Sequence, residues 1–366
     1  MAPNRTERSE EQKRKTLLTM NKAELAFESS VTWKKDSTVY DMTIPVPLAY
    51  RRALQAVREG IGENSYLVIC GGLYDAAIGI ADSQRTGSDI LARWPLTNVV
   101  KQNLLRWYMS KWWSNDADCL ALRRQSEMTR GLNLTLGLLS DDEIRTFLVN
   151  QYLSGGLFSQ TEPLDKIEDD RLWEIRRLIP LVPIESIPEL FDGSPVPSRI
   201  VVRGKESGLC ELVLINWDDC ESWTPTIRPG EILSKWQKTE EKVTEADRCL
   251  AVEFYGKRHH IAPSAEEVTL SPIPPHASEV VRIHRYDPDS PYVIGGPHFS
   301  LGEEVEELSI MNDKIIFSGN SVFPIPLDYE ILLPENCETE DGSHTIRFHV
   351  DSIGQYTKTA TLKTVE

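Results

Sequence analysis

The sequence predicts a parallel α/β region followed by an all-β region, and three observations point to it. Between residues 48 and 178, short apolar runs, polar loops and helical stretches alternate about four times, as strand–loop–helix units around a parallel sheet do. After Pro180-Leu-Val-Pro183 the pattern changes to short β-runs separated by Gly, Pro, Asn and Asp turns. In the first region the polar clusters stand just after the apolar runs, at the strand ends where such folds keep their sites.

Taken in order, residues 48–59 (LAYRRALQAVRE) place apolar side chains on one face and arginines elsewhere, an amphipathic helix stopped by Gly60 and Gly62. Residues 66–70 (YLVIC) are a short continuous apolar run ending in Gly71-Gly72, as a strand buried on both faces should be. Residues 76–81 (AAIGIA) read as a second such strand. A helix is expected over 98–109, a strand near 110–114, and a helix opened by a capping box at Ser140-Asp-Asp-Glu143 and running to Leu153. Residues 155–159 (GGLFS) read as a further strand and 164–178 as a helix. The β-runs follow at 199–202, 210–215, 280–283 and 345–350, with a sandwich-like arrangement expected. A turn-rich linker at Asp287-Pro-Asp-Ser-Pro291 marks a further boundary. The expected division is a lead over 1–40, an α/β unit over 41–185, a β-sandwich over 186–287 and a β-rich tail over 288–366.

Composition narrows the function. The 366-residue chain has a formal charge of −16, which repels a phosphate backbone, so no nucleic-acid partner is expected. No apolar run approaches the ~20 residues of a membrane span. The first twenty residues are charged and lack the apolar core of a signal peptide, which predicts a cytoplasmic protein. The six cysteines show no CxxC or Cys/His spacing and read as thiols of a reducing compartment. His259-His260 is the one tempting metal pair, but neighbours on a strand point to opposite faces, so no metal and no cofactor is expected. Asn4-Arg-Thr and Asn133-Leu-Thr match the glycosylation sequon, a pattern frequent by chance.

Two polar clusters carry chemistry. Arg85-Thr-Gly-Ser-Asp89 follows the apolar run at 76–81, and Trp112-Trp-Ser-Asn-Asp-Ala-Asp118 stands at the equivalent end of the next unit. Alone, the first is a surface ion pair. Together, carboxylates and tryptophans at a strand mouth are what a sugar site needs: acids bond hydroxyls and move protons, and an indole covers the apolar face of a pyranose. One of the two tryptophans is expected in the core.

These stretches, with Tyr50-Arg-Arg-Ala-Leu, Cys70-Gly-Gly, Leu153-Ser-Gly-Gly-Leu157 and Leu214-Ile-Asn-Trp217, resemble the α-galactosidases (melibiases) of glycoside hydrolase family 36 over residues 40–285. The resemblance implies the C-terminal half of a (β/α)8 barrel, a C-terminal β-sandwich and a retaining mechanism on terminal α-linked galactose or a related sugar. It implies that Asp89, closing the family's R-x-G-x-D loop, is the general acid/base. Arg85, Asp118, Cys70 and Trp113 are implied to bind the substrate. The family's nucleophile stands in a K-L-D-F motif; the corresponding Glu24-Leu-Ala-Phe27 places Ala26 there, and an alanine cannot form the glycosyl ester. About four of eight barrel strands precede the β-region, and an unclosed barrel leaves an open edge. Closure then calls for a further chain, a second copy or a complementing one. A non-catalytic carbohydrate-binding or interaction protein is the alternative to a working hydrolase.

Overall fold

The computed structural model describes residues 43–90, 94, 98–120, 122, 139–160, 163–190, 196–236, 243–351 and 353–365. The expectations placed on residues 1–40, Ala26 among them, and on Asn133 lie outside these. Helix α1 (Val46–Ile61) matches the amphipathic stretch and ends at Gly62, whose φ of 79° suits the residue without a Cβ. It buries Leu54 against Leu67, Ile69, Ala77, Ile80 and Trp113.

The chain continues through β1 (Val68–Ile69), α2 (Tyr74–Ala77), β2 (Ser83–Arg85), α3 (Asn98–Leu105), β3 (Ser114–Leu120), α4 (Asp141–Ser154), β4 (Leu157–Gln160) and α5 (Asp169–Leu172). The four strands form one sheet in the order β1-β2-β3-β4, and every pair in it is parallel. The register sets Gln84 beside Asn115 and Arg85 beside Asp116. Successive side chains alternate faces. Asn115 reaches the Arg106 carbonyl, and Thr86 donates to Asn103 of α3 at 2.9 Å, so that face is turned to the helices. Arg85 and Asp116 stand on the other face.

Several expected elements are corrected. Residues 76–81 are a helical turn and its exit, and the strand begins only after them, at the polar Ser83-Gln-Arg85. Ala77, Ile80 and Ala81 are buried under α1, which a helical turn achieves as well as a strand. The polar β2 is held by its neighbours: Ser83 donates to the Ser114 carbonyl and Gln84 to the Gly71 carbonyl. The cluster expected beyond a strand near 110–114 is itself strand β3, preceded by a 3-10 turn at Trp107–Lys111. The helix expected over 164–178 is instead two 3-10 turns, Leu164–Lys166 and Trp173–Arg177, flanking the short α5. Helix α4 has the expected capping box, with Ser140 and Glu143 bonding each other's backbone N–H.

Beyond α5 run β5 (Ile184–Pro188), β6 (Arg199–Gly204), β7 (Cys210–Ile215), β8 (Thr226–Ile227), α6 (Pro229–Trp236), β9 (Arg248–Glu253), β10 (His259–Pro263), β11 (Val268–Thr269) and β12 (Ser278–Arg285). Six of them make one antiparallel sheet, β10-β9-β12-β7-β6-β5. Its two faces enter different apolar cores. Val201, Leu212, Leu214 and Val281 pack with Ile227, Ile232 and Leu233, while Ile200, Val202, Val213 and Val280 pack with Phe147 and Leu148 of α4. Both faces are dry, which is why β7 (CELVLI) is apolar at every position but Glu211.

The tail supplies β13 (Tyr292–Gly295), β14 (Val305–Met311), β15 (Lys314–Ser321), β16 (Leu327–Leu332), β17 (Cys337–Glu338), β18 (Thr345–Val350), β19 (Gly354–Thr361) and β20 (Lys363–Thr364). Two three-stranded antiparallel sheets, β13-β16-β18 and β14-β15-β19, are joined through Phe317, whose ring lies 5.2 Å from Phe348 and 4.8 Å from Tyr329. Among the described residues no helix is long and apolar enough to cross a membrane.

Candidate functional site

The carboxyl edge of the parallel sheet gathers one cation and three carboxylates. Arg85, the last residue of β2, places Nη1 2.9 Å from Asp89 Oδ1 and Nη2 2.8 Å from Asp118 Oδ1. Its Nε lies 3.6 Å from Asp116 Oδ2, too long for a hydrogen bond. Asp116 and Asp118 are nearly buried and Asp89 is 82% exposed, so the cluster has a dry inner side and a wet outer one. Burial by itself lowers the Arg85 pKa, but the charges of Asp118, Cys70, Asp116 and Asp89 outweigh it and raise the value. The guanidinium stays a cation.

Asp118 is the most constrained member. Its φ is +69°, a left-handed conformation that non-glycine residues rarely adopt. The surrounding bonds enforce it. Its N–H donates to Asp116 Oδ1 at 2.9 Å, its carbonyl accepts from Gln151 Nε2 at 2.8 Å, and its Oδ2 accepts the Ile90 N–H. The parallel register between β3 and β4 shifts between Asp116 and Cys119, around this residue. The loop after β2 is tied down as well: Thr86 N–H donates to the Asp116 carbonyl at 2.8 Å, and Arg106 donates to the Thr86 carbonyl.

Cys70 follows the last residue of β1 at the same edge and is exposed. Trp113 does not join the cluster. It precedes β3, is 6% exposed and packs beside Leu54 and Met109, with its indole N–H unpaired among the described residues. Five residues of extended strand, about 16 Å, separate it from Asp118. Trp113 is therefore the core member of the pair, and Trp112 is 46% exposed.

Sequence reasoning missed Asp116 and Gln151. The signal for Asp116 was its spacing of two from Asp118, the spacing of one face of a strand. Nothing in the local sequence of α4 marks Gln151.

The fold has solved counterparts. No family model matches the chain. It is similar to a glycoside hydrolase family 27 β-L-arabinopyranosidase from Geobacillus stearothermophilus. Against a variant of that protein in complex with arabinose, the TM-score is 0.52 at 14% identity, over 65% of this chain and 55% of the other. Against the wild type it is 0.50 at 14% identity, over 64% and 54%. An α-galactosidase from Saccharomyces cerevisiae, solved with raffinose, gives 0.49 at 10% identity, over 66% and 69%. The chain thus has a glycosidase-like fold and spans about 55% of the first structure's length. At these identities the likeness concerns the fold alone.

A separate cleft of about 680 Å³ is lined by Tyr66, Ser114, Leu157, Phe158 and Leu181. It sits by the amino ends of β3 and β4, and its lining includes Gln151 and Tyr152 of α4 but no carboxylate. Among the described residues no group of three or more His, Cys, Asp or Glu side chains is arranged to hold a metal ion.

Proposed function

We propose that the chain carries the C-terminal half of a glycoside hydrolase barrel, of the family 36 type that its motifs resemble, and that its Arg85-centred cluster recognises a terminal α-linked galactose or a related pyranose. The observation that carries this reading is the grip of one guanidinium on Asp89 and Asp118 at the carboxyl edge of a parallel sheet. Neutral sugars are bound by such pairs: the carboxylates accept from hydroxyls, and the arginine donates from a fixed fork. Asp89, exposed and at the rim, is the group that can reach a glycosidic oxygen as acid and then activate water as base. Arg85, Asp118 and Cys70 line the sugar's side, with Asp116 added to them. The arabinose bound in the family 27 structure is a pyranose-forming sugar, in keeping with this class of ligand.

Retaining hydrolysis needs a second carboxylate about 5–5.5 Å from the first, across the bond to be cleaved. Asp118 is engaged by Arg85, and Asp116 accepts from the Asp118 N–H, which leaves both poor nucleophiles. With Ala26 at the motif's nucleophile position, the second reading, a carbohydrate-binding relative without turnover, gains weight. Hydrolysis of a panel of nitrophenyl glycosides separates the two readings, with Asp89→Asn as control and azide or formate added to replace a lost carboxylate. Rescue by the small anion supports the hydrolase ancestry and the Ala26 assignment. Robust turnover without rescue, unchanged in Asp89→Asn, refutes the assigned roles.

A further inference from the structure

Two adjacent residues at the end of α4 face different parts of the molecule. Gln151 donates to the carbonyls of Asp118 at 2.8 Å and Ala117 at 3.4 Å. Tyr152 donates its hydroxyl at 2.8 Å to Glu211 Oε2 on β7 of the six-stranded sheet. Gln151 and Tyr152 are nearly buried, and Glu211 has no exposed surface. Helix α4 is fixed to the same sheet at Thr146, whose Oγ lies 2.6 Å from Ser278 Oγ, and to β5 through Ser186, which donates to the Leu153 carbonyl at 2.6 Å.

We propose that Gln151 and Tyr152 couple Glu211 to the strained backbone of Asp118, making Glu211 a positioning residue for the candidate site although it touches nothing bound there. The groups facing Glu211 are Tyr152 from α4, Arg282 directly across on β12, Glu303 and Glu304 from the segment before β14, and Cys210 beside it in the chain. Arg282 is committed elsewhere: Nη2 bonds Glu303 at 2.9 Å and Nε bonds His284 at 3.3 Å, while its Nη1 and Glu211 Oε1 each lack a hydrogen-bond partner among the described residues. A carboxyl so placed has one good hydrogen bond and an incompletely engaged cation. Burial pushes its pKa up to about 8, against the pull of Arg282 and the Tyr152 bond. Burial also holds the Tyr152 hydroxyl well above its usual range and pushes the Cys210 thiol up to about 12, so neither titrates beside it near neutrality. Ionised, Glu211 is a charge in a dry site that the Tyr152 bond and Arg282 compensate only in part, and opening of the last turn of α4 admits water to it. The Gln151 bond that keeps Asp118 at positive φ opens with that turn.

The inference rests on the proposed function only for what the site binds, so it is tested first without a ligand. Amide hydrogen exchange of residues 114–120, corrected for intrinsic rates, is followed from pH 6.5 to 9 in the full chain, in Glu211→Gln and in Tyr152→Phe. In the unaltered chain protection falls as pH rises through 8, by up to roughly tenfold per pH unit for one proton. Glu211→Gln shows no such fall, Tyr152→Phe still shows it because its Glu211 still ionises, and β15 keeps its protection throughout. No fall in the unaltered chain, the same fall in Glu211→Gln, or an equal loss in β15 overturns the coupling. A titration with D-galactose at pH 6.5 and 9 runs alongside. Absence of binding together with the exchange effect counts against the sugar reading and leaves the coupling standing.

Discussion

Arg85 and Asp118 meet across two parallel strands, Nη2 to Oδ1 at 2.8 Å, with both side chains largely withdrawn from water. The pair organises the carboxyl edge of the sheet. The same guanidinium reaches Asp89, and the same carboxylate fixes the Ile90 amide, so the acid-bearing loop is held from both ends.

Removing the cation leaves Asp116 and Asp118 buried without their counter-charge. Breaking a buried pair from one side costs about 3–5 kcal/mol. Arg85→Ala is expected to lower stability by that order in a denaturant titration at pH 7. A loss below about 1 kcal/mol, the range of surface pairs, would show that water already screens the cluster.

Glu211 makes global stability depend on pH. Its folded pKa, about 8, lies above the ordinary 4.5, so the folded state holds a proton that the unfolded state has released. The contribution is fully present below pH 4.5 and is lost as pH rises through 8, at up to about 1.4 kcal/mol per pH unit in that window. Thermal melts of Glu211→Gln should lack this slope between pH 5 and 8. A slope equal to that of the unaltered chain would reassign it to another group.

Trp113 separates the structural reading from the sequence-based one. Placed in the core cluster with an unpaired indole N–H, it should tolerate Trp113→Phe at a cost of about 1–2 kcal/mol, with sugar affinity unchanged. A large drop in affinity at retained stability would return it to the site.

The capping box of α4 offers a simpler check. Ser140 Oγ accepts from the Glu143 N–H at 3.1 Å, while the Glu143 carboxylate accepts from the Ser140 N–H at 2.8 Å and meets His276 at 3.1 Å. Ser140→Ala should cost about 1 kcal/mol and Glu143→Ala more, because the latter also unties the helix from the segment before β12. Equal losses would mean that the His276 contact contributes nothing.

How much of this was legible in the sequence depended on how local the cause was. The α1 pattern and the α4 capping box are written within one element, and both elements formed where they were expected. Strand β2 was misplaced because Ser83-Gln-Arg85 has no apolar signal of its own; its bonds come from the Gly71 loop and from β3. Arg85, Asp89 and Asp118 stood out as charges after apolar runs, but only the register of β2 with β3 puts Asp116 beside them. Trp113 was drawn to the site by its neighbours in sequence, and the rise of an extended strand carries it to the other end. Gln151 and Tyr152 were illegible for a different reason: a helix residue's partners across a packed interface are set by the fold, not by its own turn.

Binding of a monosaccharide by the Arg85 cluster is measured by calorimetric titration of D-galactose and L-arabinose into the full chain and into Arg85→Lys at pH 6.5. Lysine keeps the charge and loses the fork that grips two carboxylates at once. Weak, saturable binding of at least one sugar is expected, reduced tenfold or more in Arg85→Lys with the fold intact. Saturable binding of equal strength in both proteins, or no binding of either sugar to the unaltered chain, would contradict it.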